Sequence, residues 1–396
     1  MADESQETKG LKEVLAGEIL AKIEKGKPVK YDHIRIIGDL DIASLNLPLN
    51  NGKFLIDSII EIASSRFEGT VNFSRSNFQN YINLSKTKFI EPAIFHGSIF
   101  SGGVNFNGSQ FDSSAHFYWS NFESDVMFMW AEFGELATFH NSIFKDDTNF
   151  IKSRFKEDVT FRESEFFKLV DFSGSKFDEK GIFADSKFKG DAKFVVTRFG
   201  RFTNFRSCLF SKVLNLEGSF ISTIFLQDAI FEMGSKVSMK NSEFSRLEIP
   251  WKLIRDKFEY DGSSYLALIK NYNNLEWYDD ADECNYQYRT IRRKENLRGK
   301  QWFFDLIAWA LYGYGVRFYH PLVLLVVIFF ISALYYNWCG QAHLPGAFGL
   351  SAIVLTTTTQ VGELTGYCWY VSIIERIAGW LLMSTFLVVF AKKILR

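Results

Sequence analysis

From Ile60 onward, apolar side chains recur at the first, third, sixth and eighth places of an eleven-residue unit that runs fourteen times without a change of length. Positions one and six are small or β-branched, as in Val71 and Ser76. Positions three and eight are large, as in Phe73 and Phe78, and Phe holds the eighth place in all fourteen units. The remaining places are mostly Asn, Ser, Lys, Glu, Asp and Gly, which face water. Intervals of two, three, two and four match neither a helix at 3.6 nor a long strand at 2.0. They match short extended steps joined by tight corners. One step cannot bury its own Phe, so it must stack on like steps before and after it.

The ends of this run are ragged. Leu40, Ile42, Leu45 and Leu47 read as an isolated first step, set apart from Ile60 by an insertion that contains Pro, Asn and Gly. Beyond residue 213 the register slips by one near Ser222 and by two near Ser235, yet Val237, Met239, Ser242 and Phe244 still fit. Residues 9–25 read as one amphipathic helix that caps the rod.

A large inward residue with a small one two places earlier resembles the pentapeptide-repeat family over residues 40–247. The resemblance implies a right-handed quadrilateral β-helix. This chain alternates steps of five and six, so two eleven-residue units make one coil. About eight such coils at roughly 4.8 Å each give a rod on the order of 40 Å long. Some soluble members are acidic rods that imitate duplex DNA and bind topoisomerases. Between residues 60 and 247, however, 22 Lys and Arg stand against 23 Asp and Glu. A DNA mimic needs a strong negative excess, so these charges read as a mixed solvated face and no nucleic-acid partner is expected.

The C-terminal quarter changes character. Residues 321–339 carry Ser332 and Asn337 as their polar side chains, and a second apolar run, 373–394, ends in Lys392, Lys393 and Arg396. Each is long enough for a bilayer core, which takes about 20 helical residues. The first ten residues are polar and acidic, unlike a signal peptide. Arg289, Arg292, Arg293, Lys294, Arg298, Lys300 and Arg317 precede the first run and the terminal basic cluster follows the second. Positive-inside bias therefore predicts a multi-pass protein of the cell membrane with both termini in the cytoplasm. Between the runs, Pro345 begins a half-length apolar stretch that ends in Thr356, Thr357, Thr358, Thr359, Gln360, Val361, Gly362 and Glu363. It is too short and Thr-rich for a third span, and suits a re-entrant loop whose helix aims its negative end at a cation. Such a loop needs cover from protein or water, which implies an oligomer.

Residues 320–396 resemble the two-helix pore module of the potassium-channel superfamily, through Thr357, Thr358, Thr359, Gln360, Val361 and Gly362 and through Glu375, Arg376 and Gly379 opening the second run. The resemblance implies a homotetramer and a filter built from Thr357, Thr358, Thr359, Gln360, Val361, Gly362 and Glu363. A potassium filter reads Thr-Val-Gly-Tyr-Gly, whereas Glu363 and Leu364 follow Gly362 here. That ending looks closer to cyclic-nucleotide-gated cation channels, and implies weak selection between sodium and potassium with a Glu363 carboxylate ring at the outer mouth. For Ser372, Glu375 and Arg376, near the outer start of the second run, an ion pair within one subunit or between subunits is the expected arrangement. Cys339 and Cys368 flank the loop, either as a disulfide or as free thiols.

The whole chain thus reads as a mixed fold of four segments. Residues 1–39 form a helical cap, 40–247 a β-solenoid, 248–319 a helical adaptor and 320–396 an all-α pore domain with a re-entrant loop. Within the adaptor, residues 302–315 are aromatic and suit the membrane interface. Nothing points to an enzyme. His96, His116 and His140 sit in solenoid steps and no His or Cys shows metal-ligand spacing, so no cofactor is expected beyond permeant sodium or potassium. The expected function is a cation channel in the lipid membrane. The alternatives are a potassium-selective channel and a non-conducting scaffold whose rod binds a cytoplasmic protein.

Overall fold

Two eleven-residue units close one coil, so residues 22 apart stack in register. Ile82 pairs with Ile60 below and Val104 above, and Phe89 with Phe67 and Phe111. The computed structural model describes residues 10–357, 364 and 366–395. It divides into two compact units, Met1–Leu275 and Glu276–Arg396.

The first unit is a parallel β-solenoid of about eleven turns with four sides. Two sides are ten-stranded sheets. The other two merge into one nineteen-stranded sheet, because the six-residue strand Phe220–Phe225 pairs with neighbours on both. Inside, the two Phe places of each unit build columns of rings. Phe150 lies 4.9 Å from Phe128 and 4.8 Å from Phe172, nearly parallel to both, and meets Phe139 and Phe161 edge-on. Offset stacks and edge contacts both suit the ring quadrupole. The small sixth place has its own chemistry. Ser98, Ser120, Ser142, Ser164 and Ser186 are buried, and each hydroxyl donates to the carbonyl 25 residues earlier, from Phe73 through Phe161, at 2.6–2.9 Å. Cys208 takes the same slot, its Sγ 2.9 Å from the Phe183 carbonyl, and burial pushes its thiol well above the ordinary range.

Once per unit the corner residue adopts a left-handed conformation, at Trp119 (φ 58°), Trp130 (φ 60°) and Val196 (φ 55°) as well as at glycines such as Gly174. These sharp corners let five- and six-residue steps alternate. Their side chains project outward, which leaves Trp119 and Trp130 exposed.

Both ends differ from the expected layout. The N-terminal segment is not one helix over 9–25: Lys12–Leu15 is a strand in parallel register with Ile34–Ile37, and Val29–Asp32 pairs with Ile60–Ala63. Helix α1 (Ala16–Glu24) sits between these strands and buries Ala16, Ile19 and Ile23. Coiling therefore starts well before Leu40, so the rod exceeds the eight expected coils. At roughly 4.8 Å per turn it is on the order of 50 Å long. The periodicity missed these coils because they use Ile and Val with longer strands in place of Phe.

At the other end, a four-residue helix α2 (Trp251–Ile254) leads to α3 (Gly262–Asn274), which begins on Asp261, whose carboxylate accepts from the Ser264 N–H at 2.9 Å. Helix α3 imitates a further coil. The Ser264 hydroxyl donates to the Met239 carbonyl, 25 residues earlier, at 2.9 Å, the same bond that Ser98 through Ser186 make in their column. The Asn271 amide accepts from the Leu247 N–H at 3.0 Å and donates to the Leu247 carbonyl at 2.7 Å, replacing a strand neighbour. Stacked repeats need such an end, since their last layer would otherwise meet water. Replacing Asn271 by Ala orphans two buried backbone groups at about 1–3 kcal/mol each. Chemical unfolding of the full chain is therefore expected to show a solenoid transition weakened by about 2–6 kcal/mol. An unchanged midpoint would show that the cap does not depend on this amide.

Candidate functional site

The second unit carries the apolar runs. Helices α4 (Tyr278–Glu295) and α5 (Gly299–Tyr312) lead to α6 (Tyr319–Trp338), α7 (Leu344–Thr356) and α8 (Tyr367–Ile394). Helices α6 and α8 are long and apolar enough to cross a bilayer, with mean hydropathies of 1.9 and 1.8 over their most apolar stretches. Only 22% of each stretch is buried, so most of their apolar surface is left for lipid or for other chains.

Helix α7 is the shortest of the three and packs against both others. Its 13 residues rise about 20 Å at 1.5 Å each, against a hydrocarbon core of about 30 Å. Pro345 stands in its first turn, where the missing N–H costs nothing. Phe348 lies 5.7 Å from both Phe329 and Phe330 of α6. On the other flank Gly379 of α8 permits close approach, since a Cβ there would stand 2.8 Å from Leu355 Cδ2 and 3.3 Å from the Leu355 carbonyl oxygen.

A buried carboxylate joins the three helices. Glu375 of α8 accepts from the Tyr336 hydroxyl of α6 at 2.6 Å and from the Ser351 hydroxyl of α7, with Ser332 of α6 as a further donor. The sequence suggested an ion pair at this depth. Among the described residues the partners of Glu375 are hydroxyls instead, because Ser332, Tyr336 and Ser351 converge on it from neighbouring helices. Ser372 turns to its own helix and donates to the Trp369 carbonyl at 2.8 Å. Tyr336, Ala347 and Cys368 pack together beside this knot, with Cys339 against them, and both cysteines are free thiols.

Thr357 caps α7. Its backbone is extended (φ −115°, ψ 151°), while its N–H and its hydroxyl reach the Ile353 carbonyl at 2.9 and 2.7 Å. The rest of the expected filter, Thr358, Thr359, Gln360, Val361, Gly362 and Glu363, lies outside the described residues.

A second polar cluster joins α4, α5 and the turn that follows α5. Arg293, 8% exposed, donates to the Tyr314 hydroxyl at 3.0 Å and stacks its guanidinium over the Trp309 ring at 4.9 Å. Tyr314 donates in turn to Asp305, and Trp309 Nε1 to the Tyr286 hydroxyl at 2.9 Å. Burial, reinforced by the Asp305 carboxylate, holds the Tyr314 phenol well above its usual range. The acidic first turns of α4 also take up basic residues from the segment before α6 and from α8. Arg317 pairs with Glu283 at 2.7 Å, Lys392 lies 3.8 Å from Asp282, and Lys393 lies 3.9 Å from Asp279. The interface helix foreseen over 302–315 is α5 followed by a 3₁₀ turn, and Trp302, Phe303 and Phe304 are exposed on it.

The sequence reading missed the convergence of Tyr336 and Ser351 on Glu375. Its visible signal was a hydroxyl in each otherwise apolar run. Among the described residues no group of three or more His, Cys, Asp or Glu is placed to hold a metal ion. His96 and His140 instead sandwich the Tyr118 ring on the solenoid surface, at 4.8 Å on either side.

No curated protein and no solved structure matches this chain. Residues 84–128 and 131–176 match the family model of pentapeptide repeats, in nine copies, so the middle of the solenoid is a pentapeptide-repeat array.

Proposed function

We propose that the protein is a homotetrameric cation channel, weakly selective among monovalent cations, which crosses the cell membrane twice and keeps both termini and the solenoid in the cytoplasm. The observation that carries this reading is α7, an apolar helix too short to span, held between two helices that are long enough. Its C-terminal carbonyl end leads directly into the Thr-rich segment, where a helix dipole favours a cation. Irregular backbone at membrane depth requires cover from protein or water, and four copies around one axis supply both. The exposed apolar flanks of α6 and α8 are the surfaces such an assembly and its lipid would use.

In this reading α4 couples the cytoplasmic ends of the two spans to the chain before them, through Glu283 to Arg317 and through Asp279 and Asp282 to Lys393 and Lys392. Four Glu363 side chains raise the local cation concentration at the mouth. Single-channel recording from planar bilayers tests the proposal. Under sodium/potassium bi-ionic conditions the reversal potential is expected near zero, and Glu363→Gln is expected to lower unitary conductance severalfold at low ionic strength and less at high salt. A shift to the potassium Nernst value would assign a potassium-selective pore. Absence of flux from a stable, purified tetramer would leave a membrane-anchored scaffold.

A further inference from the structure

We propose that the solenoid carries a binding site for a polyphosphate anion, in the groove lined by Trp130, Lys152, Arg154, Lys176, Val196 and Arg198. This inference is independent of conduction by the C-terminal unit.

Cations elsewhere in the rod are neutralised by nearby carboxylates: in the register row Arg35, Arg66 and Lys88, the first two share Glu68 and Lys88 pairs with Asp112. Lys145 pairs with Glu123, Lys168 with Asp146, Lys180 with Asp158 and Lys187 with Glu165, each across one coil at 2.6–3.0 Å. In this groove Arg154, Lys176 and Arg198 stand side by side on three successive coils, in register. All three are exposed. Like charges directly opposed across a ladder are destabilising, and rungs about 4.8 Å apart put the row at roughly 10 Å.

Asp178 neutralises Arg154 at 2.7 Å, and Glu132, one coil below Arg154, is held by Lys156. Lys152, Lys176 and Arg198 have no carboxylate within ion-pair distance among the described residues. Two lie over aromatic rings instead, Lys152 4.2 Å from the Trp130 ring centre and Arg198 5.5 Å from that of Phe220.

The row borders a concavity. Gly174 occupies the corner between Lys152 and Val196, and its missing side chain opens a notch in a groove of about 510 Å³, within the usual range for small-ligand sites. Trp130 and Val196, 60% and 56% exposed, stand at its rim. A single phosphate can meet only one or two of these cations. Linked phosphoryl groups can meet the whole row, with Arg198 binding two oxygens at once and the lysines acting as point charges. A flat anionic membrane cannot enter the notch, which favours a compact ligand.

The test is isothermal titration of the full-length protein in detergent with orthophosphate, tripolyphosphate and ATP. Tripolyphosphate is expected to bind saturably, one per chain and at least tenfold tighter than orthophosphate. Lys176→Ala and Arg198→Ala are each expected to weaken it about tenfold, while Lys193→Ala, on another side of the rod, leaves it unchanged. Both targets are solvent-facing, and thermal melts verify that the variants remain folded. ATP binding that exceeds tripolyphosphate binding and falls in Trp130→Ala would assign a nucleotide, whereas equal affinities would assign the phosphate chain alone. No saturable binding of either, or an unchanged affinity in both variants, would overturn the site. So would binding confined to single-stranded nucleic acid or to phosphatidylglycerol vesicles.

Discussion

Glu375→Ala is expected to lower the thermal midpoint of the detergent-solubilised protein and, in the proposed channel, to abolish cation flux from reconstituted liposomes. The carboxylate is the common acceptor of Tyr336 and Ser351, with Ser332 beside them, and all four side chains are buried at the crossing of α6, α7 and α8. Its loss leaves the buried Tyr336 and Ser332 hydroxyls without this acceptor, while Ser351 keeps the Phe329 carbonyl at 3.1 Å. At about 1–3 kcal/mol per buried unsatisfied group, tempered by the smaller values typical of interhelical bonds in membranes, the cost is about 2–4 kcal/mol. Glu375→Gln keeps one carbonyl oxygen as acceptor and is expected to retain part of both stability and flux. An Ala variant with an unchanged midpoint would show that the carboxylate does not tie the helices. A lowered midpoint with flux intact would remove the seating of α7 from the conduction pathway.

Phe150→Ala is expected to cost about 3–5 kcal/mol, the range for truncating a buried aromatic. The ring touches Phe128, Phe172, Phe139 and Phe161, so its removal leaves a cavity lined by four rigid rings that cannot collapse. Phe150→Leu is expected to cost about 1.5 kcal/mol or less, because Leu84 and Leu216 already fill this inward place near the ends of the same column. Denaturant titration of the full chain, followed by circular dichroism in the β region, reads both. Equal costs for Ala and Leu would show that ring stacking, not volume, sets the stability of the array.

These two sites were legible in the sequence to different degrees. Phe150 was visible outright: an inward aromatic at fixed spacing in a repeat has one available environment, and its neighbours follow from adding eleven or 22. The Ser column was visible only as small residues, because a period reports size and polarity but not which carbonyl a hydroxyl reaches. The N-terminal coils escaped because strands at 12–15, 29–32 and 34–37 bury Ile and Val without the Phe that marks the repeat. Asn271 and Ser264 escaped for a related reason: they imitate a coil from a helix, where eleven-residue arithmetic no longer applies.

In the C-terminal unit, hydropathy read along the chain was enough to set the order of long helix, short helix, long helix, since length and apolar composition alone decide what is able to cross a bilayer. It was not enough to say what Glu375 bonds. The charge at that position suggested an ionic partner, whereas the fold brings hydroxyls from two other helices to the same depth. The sequence by itself determined the repeating coil, its length-independent core and the lengths of the apolar helices, because each depends on periodicity and composition within one stretch. Only the tertiary structure decided the two caps of the rod, the hydroxyl-lined carboxylate and the row of cations beside Gly174. Each of these is a meeting of residues distant in sequence, and local pattern carries no record of which distant groups will face one another.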